Sequence, residues 1–103
     1  MTGFNLLQLF DDVRYWIDNQ VYNIDEITIR FHHKLVFIHP YPNGNGRHSR
    51  LMADILINKL GGSAFSWGQV SLVTKSKTRD DYIAALQAAD NHNMLPLLAF
   101  ARS

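Results

Sequence analysis

The chain has 103 residues, of which 47% are apolar and 12% aromatic, which is enough for one compact core and excludes a disordered tail. Ten Lys and Arg residues against nine Asp and Glu exclude the general cationic surface of a nucleic-acid-binding or membrane-binding domain. The absence of cysteine excludes disulfides and thiolate metal sites and agrees with a reducing compartment. With neither a transmembrane-length apolar run nor a secretory signal, we expect a cytoplasmic protein without a membrane partner.

Helical periodicity dominates the N-terminal part of the chain. From Leu6 onward, apolar residues recur every three or four positions and predict a first helix that ends near Asn19. Asn23 is placed to cap a second helix, which must stop by His39 because Pro40 restricts the backbone of the residue before it. The predicted buried stripe of this second helix consists of Ile24, Ile27, Phe31, Leu35 and Ile38.

A loop over residues 40–46, rich in glycine and proline, separates the second helix from a third. The third helix is predicted from about Arg47, with Gly61 and Gly62 as its stop signal. Because both flanking helices have apolar faces, we expect them to meet across the loop. The residues predicted to form this shared core are Phe31, Leu35, Ile38, Leu51, Ile55 and Leu56.

Two further helices are predicted in the C-terminal part. Thr78 with Asp81 fits a capping box at the start of a fourth helix, and Pro96 suits the first turn of a short fifth helix. Residues 65–74 fit either a short strand or a helical turn, and both alternatives stay open. Because no convincing strand pair exists, we expect an all-α single domain over residues 1–103.

The chemistry concentrates in residues 39–50, His-Pro-Tyr-Pro-Asn-Gly-Asn-Gly-Arg-His-Ser-Arg. Gly44 and Gly46 have no side chain to hold a ligand away, so successive backbone N–H groups can point at an oxyanion. The helix that starts there adds its unpaired N–H groups and the positive end of its dipole. Arg47 and Arg50, three residues apart, can both grip phosphate oxygens. These features predict a polyphosphate site.

His39 stands at the other end of the same loop. Because imidazole titrates near neutrality, His39 could accept a proton from a hydroxyl that attacks a bound phosphate. A lone loop histidine is more often a hydrogen-bonded structural residue, but its position beside a glycine-rich loop and two arginines favours the catalytic interpretation.

Residues 39–50 resemble the motif of the Fic (filamentation induced by cAMP) domain family, most closely its bacterial branch called mobile mystery protein B. The resemblance extends to residues 25–38, to residues 51–56 and to the segment Tyr82-Ile-Ala-Ala-Leu with Asp90. It implies a helical bundle whose motif lies in the loop between two core helices. Fic domains usually also have N-terminal helices and a β-hairpin flap, for which this chain begins too late, so we expect a partial Fic domain.

The resemblance implies a protein adenylyltransferase (AMPylator), which transfers AMP from ATP to a hydroxyl side chain of a target protein. His39 would deprotonate the Ser, Thr or Tyr hydroxyl of the target. The residues implied to bind ATP are Gly44, Asn45, Gly46, Arg47 and Arg50. The first three would form the anion hole for the α- and β-phosphates, and the two arginines would hold the β- and γ-phosphates.

A magnesium ion that bridges the phosphates is also implied, because oxygen-rich polyphosphate sites use it. Asn43 stands where the family has a metal-binding acid. Its amide carbonyl can still ligate Mg²⁺ but contributes no charge, so we expect a weaker metal site.

The implied partners are proteins. Fic proteins commonly carry an inhibitory helix with the pattern Ser/Thr-x-x-x-Glu, within the chain or on an antitoxin. The only glutamate of this sequence is Glu26, inside a predicted core helix, so any inhibition would have to come from a second protein. Self-association into a homo-oligomer is another way in which a partial domain could be completed.

Two other interpretations of the sequence compete with the enzyme. Lys75, Lys77 and Arg79 form a small basic run, which is usually a solvated face. The run could otherwise contact nucleic acid, as a helix-turn-helix element does, within a non-catalytic interaction module such as the partner in a toxin–antitoxin system. His32, His39 and His48 suggest a metal site, since the first two are seven residues apart, but no carboxylate or second helical histidine follows four residues on. We therefore expect His32 and His33 to be one buried and one exposed helix residue.

Overall fold

The computed structural model describes residues 6–38, 45–69 and 74–103. Within these stretches the chain forms five α-helices and no strand, which confirms the all-α prediction. The chain divides into two compact units, Met1–Ser63 and Ala64–Ser103. None of the helices in the described stretches has the length and apolar character needed to cross a membrane.

The first unit contains α1 (Leu6–Asp18), α2 (Ile24–Ile38) and α3 (Asn45–Lys59). Helix α2 packs against both α1 and α3. The ends of α1 and α2 confirm the predicted bounds, and α3 begins two residues before the predicted start. The central helix of the unit is therefore the one that runs into the motif.

One hydrophobic cluster of the first unit lies between α1 and α2, and α3 packs against it. Its fully packed members are Leu9, Val13, Ile27, Phe31 and Leu35. Ile38 of α2 and Leu56 and Leu60 of α3 pack against this cluster while partly buried. Two of them, Ile38 and Leu56, belong to the predicted shared core.

Polar contacts fix the start of α2. The side-chain oxygen of Asn23 accepts a hydrogen bond from the Glu26 backbone N–H at 2.8 Å, which confirms the predicted cap. The Glu26 carboxylate forms a 2.8 Å ion pair with Arg30 one turn later. The Arg30 guanidinium lies 4.2 Å from the ring centroid of Tyr22, in the loop before the helix.

The end of α3 has the glycine stop that the sequence predicts. Gly61 has a φ of 87°, which a residue with a side chain rarely adopts. The Gly62 N–H donates to the Ile57 carbonyl at 2.9 Å, and the Gly61 N–H donates to the Asn58 carbonyl at 3.1 Å. These two bonds form a Schellman motif, which satisfies the carbonyl groups at the end of the helix.

The predicted core was wrong for two residues of α3. Leu51 is 55% exposed and Ile55 is 44% exposed, whereas Ala53 and Ile57 are fully buried. Helix α3 is apolar around more than one face, so its periodicity alone did not select the inward side. The face that packs carries Ser49, Ala53 and Ile57, at steps of four residues.

The second unit contains α4 (Lys75–Asp90) and α5 (Leu95–Ala101), which pack against each other. Pro96 lies in the first turn of α5, as predicted. The ring of Tyr82 on α4 lies 5.3 Å from that of Phe100 on α5, measured between centroids. Both helices therefore contribute aromatic side chains to this unit.

The predicted capping box of α4 was wrong. The helix begins one turn earlier, and Thr74 is the cap: its hydroxyl accepts a hydrogen bond from the Lys77 backbone N–H at 3.2 Å. Thr78 lies inside the helix, and its hydroxyl donates to the Thr74 carbonyl at 3.0 Å. Because the residues between the two threonines are compatible with helix, the helix extends back to the earlier cap.

The segment before α4 is a turn in the part that the structure describes. Residues 67–69 form this turn, and the backbone N–H groups of Ser66 and Trp67 both donate to the Ala101 carbonyl, at 2.9 and 3.0 Å. Of the two alternatives for this region, the described portion is not a strand. Residues 70–73 lie outside the described stretches.

Candidate anion-binding site

The candidate site lies at the start of α3. Helix α2 ends at Ile38, immediately before His39, and α3 begins at Asn45. The catalytic candidate His39, the metal candidate Asn43 and the phosphate candidate Gly44 all lie outside the described residues, so their roles stay predictions. The structure places the remaining candidates, Asn45 to Arg50, in the first turns of one helix.

The first turn of α3 consists of motif residues. The first four N–H groups of an α-helix have no acceptor within the helix, and in α3 the first two of these groups belong to Asn45 and Gly46. The turn contains no acidic residue that would compete for them. The positive end of the helix dipole also lies here. This end of α3 is therefore suited to bind an anion.

The two arginines differ in exposure at the same helix start. Arg47 is exposed, and Arg50, one turn later, is half-buried. Ser49 between them is 1% exposed and faces the packed side. The arrangement gives the site one freely accessible guanidinium and one held closer to the protein.

Helix α2, which packs against α3, carries a buried histidine, His32, which is 0% exposed. Burial lowers its pKa from 6.5 to about 4, with further lowering from the nearby charges of Arg50 and His33. A hydrogen bond with the backbone of Ser49 acts in the opposite direction and raises the pKa. Because that bond favours the protonated ring, the imidazole is the donor and the Ser49 carbonyl the acceptor. His32 is thus neutral at pH 7.

The expectation for the histidine pair was wrong, because His32 and His33 are both buried. Helix α2 packs on α1 along one side and on α3 along another, so adjacent positions can both be covered. Periodicity had assigned only one buried stripe to this helix.

Sequence reasoning did not single out His32 or Ser49 as parts of the site. One available signal was spacing: His32 precedes His39 by seven residues, which is about two helical turns and places it on the side of α2 that leads to the motif. For Ser49 no signal existed, since a serine flanked by charged residues is usually exposed.

Among the described residues, no group of three or more His, Asp or Glu side chains is close enough to hold a metal ion. What the described site offers is a set of backbone donors, two guanidinium groups and a helix dipole. This combination can bind and orient a phosphate chain.

Comparison with known proteins agrees with this geometry. The model of the Fic/DOC family matches residues 4–57, just over half of the chain and including α1, α2 and most of α3. The chain belongs to the Fic/DOC family. The predicted resemblance is thereby confirmed at the level of the family, and α3 of this Fic chain carries the second half of the motif.

Several curated proteins are similar to this Fic chain. The protein adenylyltransferase Fic of Nematostella vectensis is 27% identical over 94 residues, which are 91% of this chain and 20% of that protein. The protein adenylyltransferase fic-1 of Caenorhabditis elegans is 30% identical over 95 residues, 90% of this chain and 17% of that protein. A Fido domain-containing protein of Dictyostelium discoideum is 37% identical over 91 residues, 88% of this chain and 57% of that protein.

The chain therefore spans about a fifth of the length of the first two of these relatives. No solved structure matches the chain.

Proposed function

We propose that this Fic chain transfers AMP from ATP to a hydroxyl side chain of a target protein. The observation that carries the proposal is the start of α3 inside the motif, with Arg47 and Arg50 on its first turns. The relatives named protein adenylyltransferases support the same activity. A helix N-terminus with two guanidinium groups complements a triphosphate better than a single carboxylate.

In this proposal the phosphate chain runs along the start of α3. The backbone N–H groups from Gly44 to Gly46 bind the α- and β-phosphates, and Arg47 and Arg50 bind the β- and γ-phosphates. Arg47 is exposed and can follow the outer phosphates as ATP enters, whereas Arg50 is half-buried and has less freedom to move. Fixed donors cost less conformational entropy on binding than mobile ones.

The chemical step uses His39 as the base. Its imidazole takes the proton from the target hydroxyl while the hydroxyl oxygen forms a bond to the α-phosphorus. The bond from that phosphorus to the oxygen that bridges to the β-phosphate breaks, and pyrophosphate leaves with the electron pair. A base with a pKa near neutrality suits this task at physiological pH.

Asn43 would contribute its side-chain carbonyl to Mg²⁺, with the remaining ligands from phosphate oxygens and water. A hard cation accepts this neutral oxygen donor, so the residue fits the ion. When bound, Mg²⁺ neutralises charge on the triphosphate. Because Asn43 itself brings no charge, the chain depends more heavily on Arg47 and Arg50 for that task.

We further propose that this activity operates in the cytoplasm and is restrained by a second protein, such as an antitoxin, or completed by self-association. The basic run Lys75, Lys77 and Arg79 does not favour nucleic acid as the partner. All three lie in the first turns of α4, and Lys77 is paired with Asp81.

The test is incubation with ATP labelled on either the α- or the γ-phosphate, with Mg²⁺ and a cell lysate. Transfer of AMP predicts label on protein from α-labelled ATP and none from γ-labelled ATP. Label from γ-labelled ATP alone would mean phosphoryl transfer instead. Binding of ATP without any labelling would favour the non-catalytic, partner-binding alternative.

A further inference from the structure

We propose that His32 is a positioning residue, which holds the first turns of α3 through the main chain of Ser49 and thereby fixes Arg50 for the outer phosphates of ATP. This inference rests on the proposed function. His32 itself is fully buried and touches no substrate.

The proposed contact joins α2 and α3. Helices α2 and α3 are consecutive and pack against each other, and the motif follows α2 and continues into the first turns of α3. His32 on α2 hydrogen-bonds to the backbone of Ser49, one residue before Arg50. A side-chain bond to the main chain of the opposite helix fixes that helix against sliding and rotation, which apolar packing alone restricts less because it is not directional.

The group of Ser49 that accepts the hydrogen bond determines what the contact can orient. The bond engages the Ser49 main chain and not its hydroxyl, which has no hydrogen-bond partner in the part of the chain that the structure describes. A bond to the main chain acts on the helix as a whole, so it orients the neighbouring residue irrespective of the side chain at position 49. The charge of Arg50 also lowers the pKa of His32, so the two side chains are close enough to interact electrostatically.

The charge state of His32 also affects Arg50. A cation at position 32 would repel Arg50, whereas a neutral imidazole can donate one hydrogen bond without adding charge. Because burial and Arg50 both lower the pKa, His32 keeps this neutral state through the physiological range. Position 32 therefore requires an uncharged side chain with an N–H donor, and glutamine also meets this requirement.

The experiment measures ATP and AMP affinity of the full chain by titration calorimetry for four proteins: the parent, His32→Gln, His32→Leu and Thr28→Ala. Thr28 is the matched control, because it lies one turn earlier on α2, is fully buried and uses its hydroxyl within its own helix, 2.8 Å from the Ile24 carbonyl. Loss of stability alone lowers the affinities for ATP and AMP by the same factor. Loss of Arg50 positioning lowers the affinity for ATP selectively.

We expect His32→Leu to lower ATP affinity about tenfold relative to AMP, as loss of one charge-assisted contact does. His32→Gln should keep the ATP-to-AMP ratio within about twofold of the parent, since the donor remains. An unchanged ratio in His32→Leu, or the same change in Thr28→Ala, would overturn the inference. If His32→Leu does not fold, a selective loss of ATP affinity in His32→Gln would overturn it instead. Failure of the parent to bind ATP would refute the proposed function and not this contact alone.

Discussion

Among single residues, His32 makes the stability of this Fic chain depend on pH. Its pKa is about 4 in the folded chain against an ordinary value of 6.5, so the unfolded chain binds the proton more tightly. Stability is therefore intact above pH 6.5 and is lost as the pH falls toward 4. The groups that act on His32 are Arg50 and His33, which both lower its pKa, and the Ser49 backbone, which raises it.

The free energy of unfolding should fall by up to about 3 kcal/mol between pH 6.5 and 4 because of this one group. The check is urea unfolding of the parent and of His32→Gln at several pH values, because glutamine keeps a donor and does not titrate. The difference between the two curves isolates His32 from all other titrating groups. A constant difference across this pH range would contradict the assigned pKa.

Ser49 offers a second prediction at the residue scale. Its hydroxyl is buried and lacks a hydrogen-bond partner among the described residues, so removing it relieves a desolvation cost. Ser49→Ala should leave the free energy of unfolding within about 0.5 kcal/mol of the parent or raise it. Urea unfolding measures this, and a loss of 2 kcal/mol or more, on the order of a buried hydrogen bond, would show that the hydroxyl has a partner.

Arg50 is assigned to the outer phosphates, so its removal should distinguish nucleotides by length. Arg50→Ala is expected to lower the affinity for ATP by about tenfold or more, which is the value of a hydrogen bond to a charged group. The affinity for AMP should be nearly unaffected. Calorimetric titration of both nucleotides is the measurement. Equal weakening of ATP and AMP would place Arg50 at the α-phosphate or outside the site.

Among the helices, α3 combines a proposed binding role with a packing role, and the sequence alone did not show which residues serve each role. Its start is proposed to supply the donors for phosphate, and its packed face carries Ser49, Ala53 and Ile57. Leu51 and Ile55 are apolar yet exposed. The helix thus has a buried face and a second apolar face, which explains why the predicted core included the wrong positions.

Two isoleucines of α3 give a matched test of this assignment. Ile57 is 0% exposed and Ile55 is 44% exposed, in the same helix and with the same side chain. Ile57→Ala should lower the free energy of unfolding by about 2–5 kcal/mol because it removes packed methyl groups and leaves a cavity. Ile55→Ala should cost less than about 1 kcal/mol. Similar losses for both variants, measured in urea, would contradict the orientation of α3.

The helix ends were the most predictable part of the fold because local chemistry specifies them. Asn23 capped α2, Gly61 and Gly62 ended α3, and Pro96 opened α5. The start of α4 was missed because Thr78 with Asp81 fits a capping box, although Thr74, one turn earlier, is the cap. Local signals fix where a helix can end, but not which of two ends is used.

The candidate site was predictable in part for a related reason. Glycines, arginines and a helix start in one short stretch indicate an anion site by composition and order. The buried contact from His32 to Ser49 joins two helices, and no spacing within either helix reveals it. Tertiary contacts between polar residues therefore remained outside the reach of pattern analysis.

On the scale of the whole molecule, the family match and the compact units have different extents. The Fic/DOC match covers residues 4–57 and falls within the first unit, Met1–Ser63. The alignments with the protein adenylyltransferases cover about nine-tenths of the chain and so extend into the second unit. The proposed ATP site lies in the first unit, whereas the second unit, with α4 and α5, has no assigned role in binding ATP.

The central claim is that His39 activates a target hydroxyl while the start of α3 holds ATP. The most direct measurement compares the parent with His39→Ala, using α-labelled ATP, Mg²⁺ and a cell lysate, with ATP affinity measured on the same samples. A third protein with additional upstream sequence, which could supply a flap, serves as the reference for full activity.

We expect His39→Ala to reduce protein labelling by about 10²–10⁴-fold, the usual contribution of a general base. Its affinity for ATP should stay within about twofold of the parent's affinity. The selective loss follows because the imidazole acts on the incoming hydroxyl and the backbone N–H groups bind the phosphates. Equal labelling by the parent and His39→Ala would contradict the catalytic role of His39, and absence of labelling even with the longer chain would contradict the enzyme assignment.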